Sequence, residues 1–264
     1  IIAIILKKLG DSRFAIDYSA TLEINRAVDD IGFFDSIMLA RPYRTIMSLA
    51  DAPPNLNVQT FNGSEISSRA LAALGVKYVL TTAQRDDLKK EGQLGDMTIY
   101  SVPFPSQRAE FFDNDHLLYL SSERIHTLLR NPKIDLRTVL LLPYEARHAD
   151  TKGSVVNSSQ LAMVEYRRPD SDHIECTVMT DRNGYLRIIE SWDPGWSATV
   201  DGKPAPIVPA LDALIAVPIG PGHHEVRLIY RTPGAAIGQV VTILSLALLC
   251  ILMWKASVKR RQKQ

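Results

Sequence analysis

Along residues 153–232, apolar and polar positions alternate with a period of two, interrupted by turns rich in Gly, Pro and Asp. Successive side chains of a strand point to opposite faces, so each of the runs AMVEYR (162–167), HIECTVMT (173–180), YLRIIE (185–190), WSATV (196–200), 206–208, 213–218 and HHEVRLIY (223–230) presents one apolar face. Short strands at this spacing predict a β-sandwich, in which two sheets bury those faces against each other. In 185–190 and 225–230 the alternation is imperfect, which predicts that these two strands are central. Two reversals bracket the strand 196–200: Asp193-Pro194-Gly195-Trp196 ahead of it, and the Asp201-Gly202 hairpin signal behind it.

Residues 11–152 mix two periods. SEISSRALAAL (64–74) repeats apolar residues at helical spacing and stops at Gly75, a residue suited to the left-handed position after a helix. VKYVLTT (76–82), MTIYSV (97–102) and RTVLLL (137–142) read as strands, and 35–50 and 121–130 as helices, with Pro42 tolerable only near a helix start. The expected fold class is therefore α+β: a mixed α/β region (11–152), then an all-β sandwich-like domain (153–232), then one C-terminal transmembrane helix.

That helix is the third pattern. AAIGQVVTILSLALLCILMW (235–254) has no charge and, at 1.5 Å rise per residue, is long enough for a hydrocarbon layer of about 30 Å. Tyr230 precedes it, Trp254 closes it, and the tail 255–264 carries Lys255, Lys259, Arg260, Arg261 and Lys263 with no acid. The excess of cations puts the tail in the cytoplasm and the residues before Pro233 outside it. The expected boundaries are a membrane helix at 233–254 and a cytoplasmic tail at 255–264. The chain opens on IIAIIL followed by Lys7 and Lys8, which predicts that residues 1–10 are the outer end of an earlier transmembrane helix in a longer chain, a short surface strand being the alternative.

Composition adds mainly exclusions. With 30 Lys and Arg against 29 Asp and Glu, a formal net charge of +1, the balance points to neither nucleic acid nor an acidic surface as partner. Two cysteines, Cys176 in a strand-like run and Cys250 in the apolar helix, are too few for a disulfide framework. His223 and His224 are adjacent in a strand and so face opposite ways, and His173 with Glu175 lacks a third ligand nearby, so no metal site and no cofactor is expected. No Gly-x-Ser-x-Gly and no phosphate loop occurs. Glu110, Asp113, Asp115, Glu165 and Glu190 name no pair facing across a cleft, so no catalytic residue is expected. Trp192, Trp196 and Tyr185 are the candidate glycan contacts, since sugar rings stack on aromatic faces; the structural alternative is that a tryptophan after a Pro-Gly turn plugs the open end of the sandwich.

The order of features from Ile188 to Tyr230 resembles the C-terminal signature of the bacterial YfhO-type membrane proteins. A strand is followed by Asp193-Pro194-Gly195-Trp196, then Val200-Asp201-Gly202-Lys203, then Gly222-His223 with Val226, then Tyr230 with Pro233 leading into a last membrane helix. Upstream, residues 73–80 (ALGVKYVL) resemble the family's buried strand, and Ile99-Tyr100 through Pro105 to Ala109 a later segment, with Ser101 and Val102 departing from its acidic-Asn pair. The resemblance implies a polytopic membrane protein similar to the GT-C glycosyltransferases, which transfer sugar from a polyprenyl-phosphate carrier to envelope polymers such as teichoic-acid-like acceptors. This chain would be its C-terminal extracytoplasmic part with the last transmembrane helix, in the bilayer of a bacterial cell. No position here corresponds to the catalytic acid of that class. The rival reading is a membrane-tethered carbohydrate-binding or structural module of an envelope-assembly protein, with no enzymatic activity.

Overall fold

The computed structural model describes residues 13–16, 40–49, 66–147 and 162–261. The expected helix end at 1–10 and the first residues of the helix expected at 35–50 lie outside them.

A two-layer sandwich forms the centre. One sheet has the order β13-β14-β10-β5 and is antiparallel throughout, with β5 Ala109–Asp113, β10 Gly184–Ser191, β13 Val208–Ala210 and β14 Leu214–Ile219. The other has the order β12-β11-β15-β9-β8, also antiparallel, with β8 Met163–Arg167, β9 His173–Thr180, β11 Trp196–Val200, β12 Lys203–Ala205 and β15 Gly222–Tyr230. Their facing sides meet in one apolar cluster. Leu186, Ile188, Ile215 and Val217 come from the first sheet, and Ile174, Cys176, Val178, Ala198, Val226 and Leu228 from the second. β9 shows the expected alternation plainly, with Ile174, Cys176, Val178 and Thr180 buried between more exposed neighbours.

Both strands expected to be central are so: β10 lies between β14 and β5, and β15 between β11 and β9. The reasons differ. β10 is buried continuously from Gly184 to Ile189, because a second cluster covers its other face. Tyr185 and Ile189 belong to that cluster, with Leu71, Leu136, Leu140 and Leu142 from the upstream region. A strand covered on both faces has no polar side to alternate with. β15 keeps one wet face, on which Arg227 and Ile229 are exposed.

The upstream region carries a four-stranded sheet, order β1-β2-β4-β3, from β1 Arg13–Ile16, β2 Val76–Thr81, β3 Lys89–Leu94 and β4 Met97–Ser101, with β1 parallel to β2. A parallel pair, β6 Leu117–Leu120 and β7 Leu140–Pro143, abuts the sandwich through the Leu211 N–H bonded to the Leu141 carbonyl at 2.8 Å. Among the described residues three helices accompany them: α1 Ala40–Leu49, α2 Ser68–Ala73 and α3 Ser122–Arg130. Pro42 stands in the first turn of α1, where backbone N–H groups have no helical partner anyway. Ser67 caps α2, its hydroxyl accepting from the Ala70 N–H, and the chain leaves through Gly75 at φ +70°. Ser121 caps α3 in the same way through the Arg124 N–H.

Among the described residues, four strands have no counterpart in the period-two reading: β1, β3, β5 and β6. β3 is mostly exposed on both faces, and β5 and β6 are short segments with mixed charges or aromatics. The strand expected at 206–208 is displaced: β12 ends at Ala205 and β13 starts at Val208, with Pro206 in the crossing between the two sheets, where its missing N–H leaves no ladder bond unmade.

The last element, α4 Ala235–Arg261, has an apolar window Ile237–Trp254 of mean hydropathy 2.3, none of it buried against the rest of the chain. It is long and apolar enough to cross a membrane. It leaves from one particular end of the sandwich, formed by the β8–β9, β10–β11 and β13–β14 connections and the last residue of β15.

Candidate functional site

The Asp193 turn organises this end. The Trp196 N–H donates to the Asp193 carbonyl at 3.1 Å, and the Gly195 N–H to Asp193 Oδ1 at 2.7 Å, so Asp193 caps its own reversal. The next residue beyond β15 is tied to the same turn, the Arg231 N–H donating to the Gly195 carbonyl at 2.9 Å. Only glycine fits there, since a Cβ on residue 195 would stand 2.6 Å from the Arg231 carbonyl oxygen and 2.6 Å from Tyr230 Cε2. Trp196 and Tyr230 face each other in register as first and last residues of neighbouring strands, with ring centroids 5.2 Å apart and planes tilted by 57°. Both rings lie on the side of the sheet that carries Ala198 and Leu228, and Trp196 packs against the sandwich core.

Trp192 closes the same end from the other sheet. Its N–H donates to the Ala213 carbonyl at 2.6 Å, and its ring packs on the sandwich core. The Arg41 guanidinium from α1 lies over the ring, 4.8 Å from its centroid, a distance suited to a cation–π contact. Arg41 Nη1 donates to Asp212 Oδ1 at 3.1 Å. The other carboxylate oxygen of Asp212 accepts from Ser122 Oγ at 3.1 Å and lies 3.0 Å from His126 Nε2, both on α3. His126 Nδ1 is in turn 3.0 Å from Ser48 Oγ of α1, and Thr45 Oγ1 donates to the Leu211 carbonyl at 3.1 Å. The turn that delivers Asp212 is tight, with φ +51° at Leu211 and +62° at Asp212, conformations that this network holds in place. Burial raises the Asp212 carboxyl, but hydrogen bonds from His126 and Ser122 and the charges of Arg41 and His126 outweigh it, so the group stays ionised below the ordinary range.

Ser48, His126 and Asp212 thus stand in the order hydroxyl, imidazole, carboxylate, a constellation that no local motif announces because the partners lie 78 and 86 residues apart in sequence. Ser48 is 2% exposed, so no substrate carbonyl reaches its hydroxyl, and the network serves to lock α1 and α3 onto the Leu211–Asp212 turn. The parts open to solvent are Arg41, whose side chain is 45% exposed, the exposed Ser122 and the half-buried ring of Trp192.

Of the three aromatic residues singled out from the sequence, the structure brings Trp192 and Trp196 to one end. Tyr185 lies near the start of β10, at the opposite end, and is wholly buried, its hydroxyl donating to the Ala146 carbonyl at 2.6 Å. Burial pushes that hydroxyl well above its usual range, and the ring belongs to the core shared with the upstream region.

The carboxylates are engaged one by one. Glu110 pairs with Arg187, Glu190 with Arg168, Asp113 with Arg182 at 2.9 Å and with His116 at 2.6 Å, and Asp201 with His224 at 2.7 Å. A cleft of about 570 Å³ opens between the edge strands β5 and β8, lined by the paired charges Glu110, Asp113, His116 and Arg182, by Arg137, which pairs with Asp135 at 2.8 Å, and by Asp181. Among the described residues no group of three His, Cys, Asp or Glu converges as a metal would need.

Residues 126–242 match the family model described as bacterial membrane protein YfhO. The matched region runs from His126 through Trp192, Trp196, Asp212 and Tyr230 into the first turns of α4, and leaves Arg41 and Ser48 outside it. No curated protein and no solved structure matches the chain.

Proposed function

We propose, for a membrane protein of the YfhO family, that this chain is the C-terminal, non-catalytic part of a polytopic glycosyltransferase resembling the GT-C enzymes, which use polyprenyl-phosphate-linked sugars to modify envelope polymers. The region before α4 lies outside the cytoplasm and the basic tail within it, as the excess of cations after Trp254 suggests. The task of the sandwich is to brace the membrane part and to hold a glycan at the end from which α4 leaves.

The observation that carries this reading is the Arg41–Trp192–Asp212 arrangement. A guanidinium held over an aromatic ring and fixed by a carboxylate offers N–H donors to the hydroxyls of a sugar. Arg41 has five donors and Asp212 takes one of them in the structure, so the exposed head retains donors for a ligand. The ring beneath and the carboxylate beside it set the plane of the guanidinium before any ligand arrives, which lowers the ordering cost of binding.

The test is binding of the membrane-reconstituted chain to bacterial envelope glycans and to polyprenyl-phosphate sugars, with Trp192→Ala and Arg41→Ala compared with the parent. Each substitution is expected to weaken binding about tenfold, the equivalent of roughly 1.4 kcal/mol, measured at a temperature where parent and variants are all folded. Equal binding by parent and variants, or no binding by any of them, would remove the glycan-holding role. Glycan binding by an intact protein that transfers no sugar would favour the tethered, non-enzymatic module instead.

A further inference from the structure

We propose that the end of the sandwich carrying Trp196, Tyr230 and Ile229 rests on the bilayer surface, with Trp196 and Tyr230 in the headgroup layer, so that the module is docked on the membrane and not held away from it on a free stalk. The inference is independent of any role in sugar transfer.

The link between sandwich and helix is short and folded. Only residues 231–234 separate Tyr230 from Ala235, and four residues span at most about 14 Å when fully extended. They are not extended. The Arg231 N–H is held by the Gly195 carbonyl at 2.9 Å, the Ala235 N–H closes a turn onto the Thr232 carbonyl at 3.2 Å, and the Gly238 N–H already makes the helical bond to the Gly234 carbonyl at 2.9 Å. The apolar window begins at Ile237. A polar layer of roughly 5–7 Å lies on each side of the hydrocarbon. A base hydrogen-bonded to Arg231 therefore has little room to stand clear of that layer.

The chemistry of the base fits that position. Tryptophan and tyrosine gather at membrane–water boundaries because each combines an apolar ring with one polar tip. Trp196 and Tyr230 are both only partly buried, although the strand positions they continue, Ala198 and Leu228, are buried. Ile229, the neighbour of Tyr230 on the outward face of β15, is 37% exposed, and Arg231 beside it is exposed with a cationic head suited to lipid phosphate. The same docking gives Gly195 a second role: by admitting Arg231 and Tyr230 into van der Waals range of the turn, it fixes the angle at which the helix leaves the sandwich.

The measurement uses the full chain in phosphatidylcholine vesicles containing anionic lipid. A Trp192→Phe/Trp254→Phe variant retains Trp196 as its only indole, and its emission is expected to fall at least about twofold with lipids brominated near the headgroup end of the acyl chain, and less with aqueous iodide. Strong iodide quenching without quenching by brominated lipid would overturn the proposal. Should that variant fail to fold, Ile229→Cys in a Cys250→Ser background, carrying a nitroxide, gives the second reading. Greater relaxation by oxygen than by a water-soluble nickel chelate supports docking, and the reverse order overturns it.

Discussion

Arg187 and Glu110 stand directly opposite each other on β10 and β5 and form an ion pair whose cationic partner is entirely removed from solvent. Burial pushes the guanidinium down from its usual range and the charge of Glu110 pulls it back up. Ser106 Oγ at 3.0 Å, the Leu136 carbonyl at 3.2 Å and the Phe112 ring at 4.7 Å complete its surroundings, so one side chain ties β10 to β5 and to the upstream region. Glu110→Ala leaves that charge without its counter-ion and is expected to cost about 3 kcal/mol, a fall of roughly 6 °C or more in Tm. The paired replacement Arg187→Met/Glu110→Met is expected to recover most of the loss, since an apolar pair of similar volume needs no counter-charge. Thermal unfolding in detergent micelles distinguishes the two; a double variant as unstable as the single one would show that the pair's shape, and not its charge, matters.

Asp212 sets a pH dependence. Its folded-state carboxyl titrates below the ordinary carboxylate range, so its contribution is present above about pH 4 and is lost as pH falls through the folded value. Asp212→Asn removes the charge while tolerating the left-handed backbone at φ +62°. The variant is expected to be less stable than the parent by about 1–3 kcal/mol at neutral pH, and the gap to close on acidification. Tm measured for both proteins across the acid range checks this, and a gap independent of pH would contradict it.

Gly195→Ala tests how tightly the turn is held against the root of α4. The added methyl meets the Arg231 carbonyl oxygen and the Tyr230 ring at 2.6 Å, and the first of these is backbone that cannot swing aside. A loss of about 1–3 kcal/mol is expected, accompanied by a change in the environment of Trp196 visible in its emission maximum. An unchanged spectrum with unchanged Tm would mean that the turn relaxes freely.

Cys176, in the core of the sandwich, has its thiol pushed up to about 12 by burial. In a Cys250→Ser background the folded protein is expected to resist maleimide at about pH 8 and to take it up fully once denatured, because the thiolate is the reacting form. Rapid labelling of the folded chain would show that the two sheets part readily.

Much of the sandwich was legible because its strands meet water on one side. β9 and β11 have the bounds that alternation predicts, and the Asp201-Gly202 signal forms a hairpin with φ +52° and +76°, the two positive angles that a type I′ turn requires. The reversal at 193–196 and the helix stop at Gly75 were likewise readable, since each depends on a few neighbouring residues. The buried network of Ser48, His126 and Asp212 was not, and neither was the strand that carries Glu110.

Sequence alone determined what depends on contact with solvent or lipid: which strand faces turn inward, where turns need a left-handed residue, and that 237–254 is apolar enough for a membrane. Those properties follow from the period and polarity of adjacent residues. Tertiary structure decided which charges could be buried, which aromatic rings share an end, and that Tyr185 parts company with Trp192 and Trp196. Arg187 shows the reason. On β10 it reads as a position facing water, and it is buried because Glu110 arrives from 77 residues away to answer its charge. Local pattern carries no record of such a partner, and only the folded chain brings the two together.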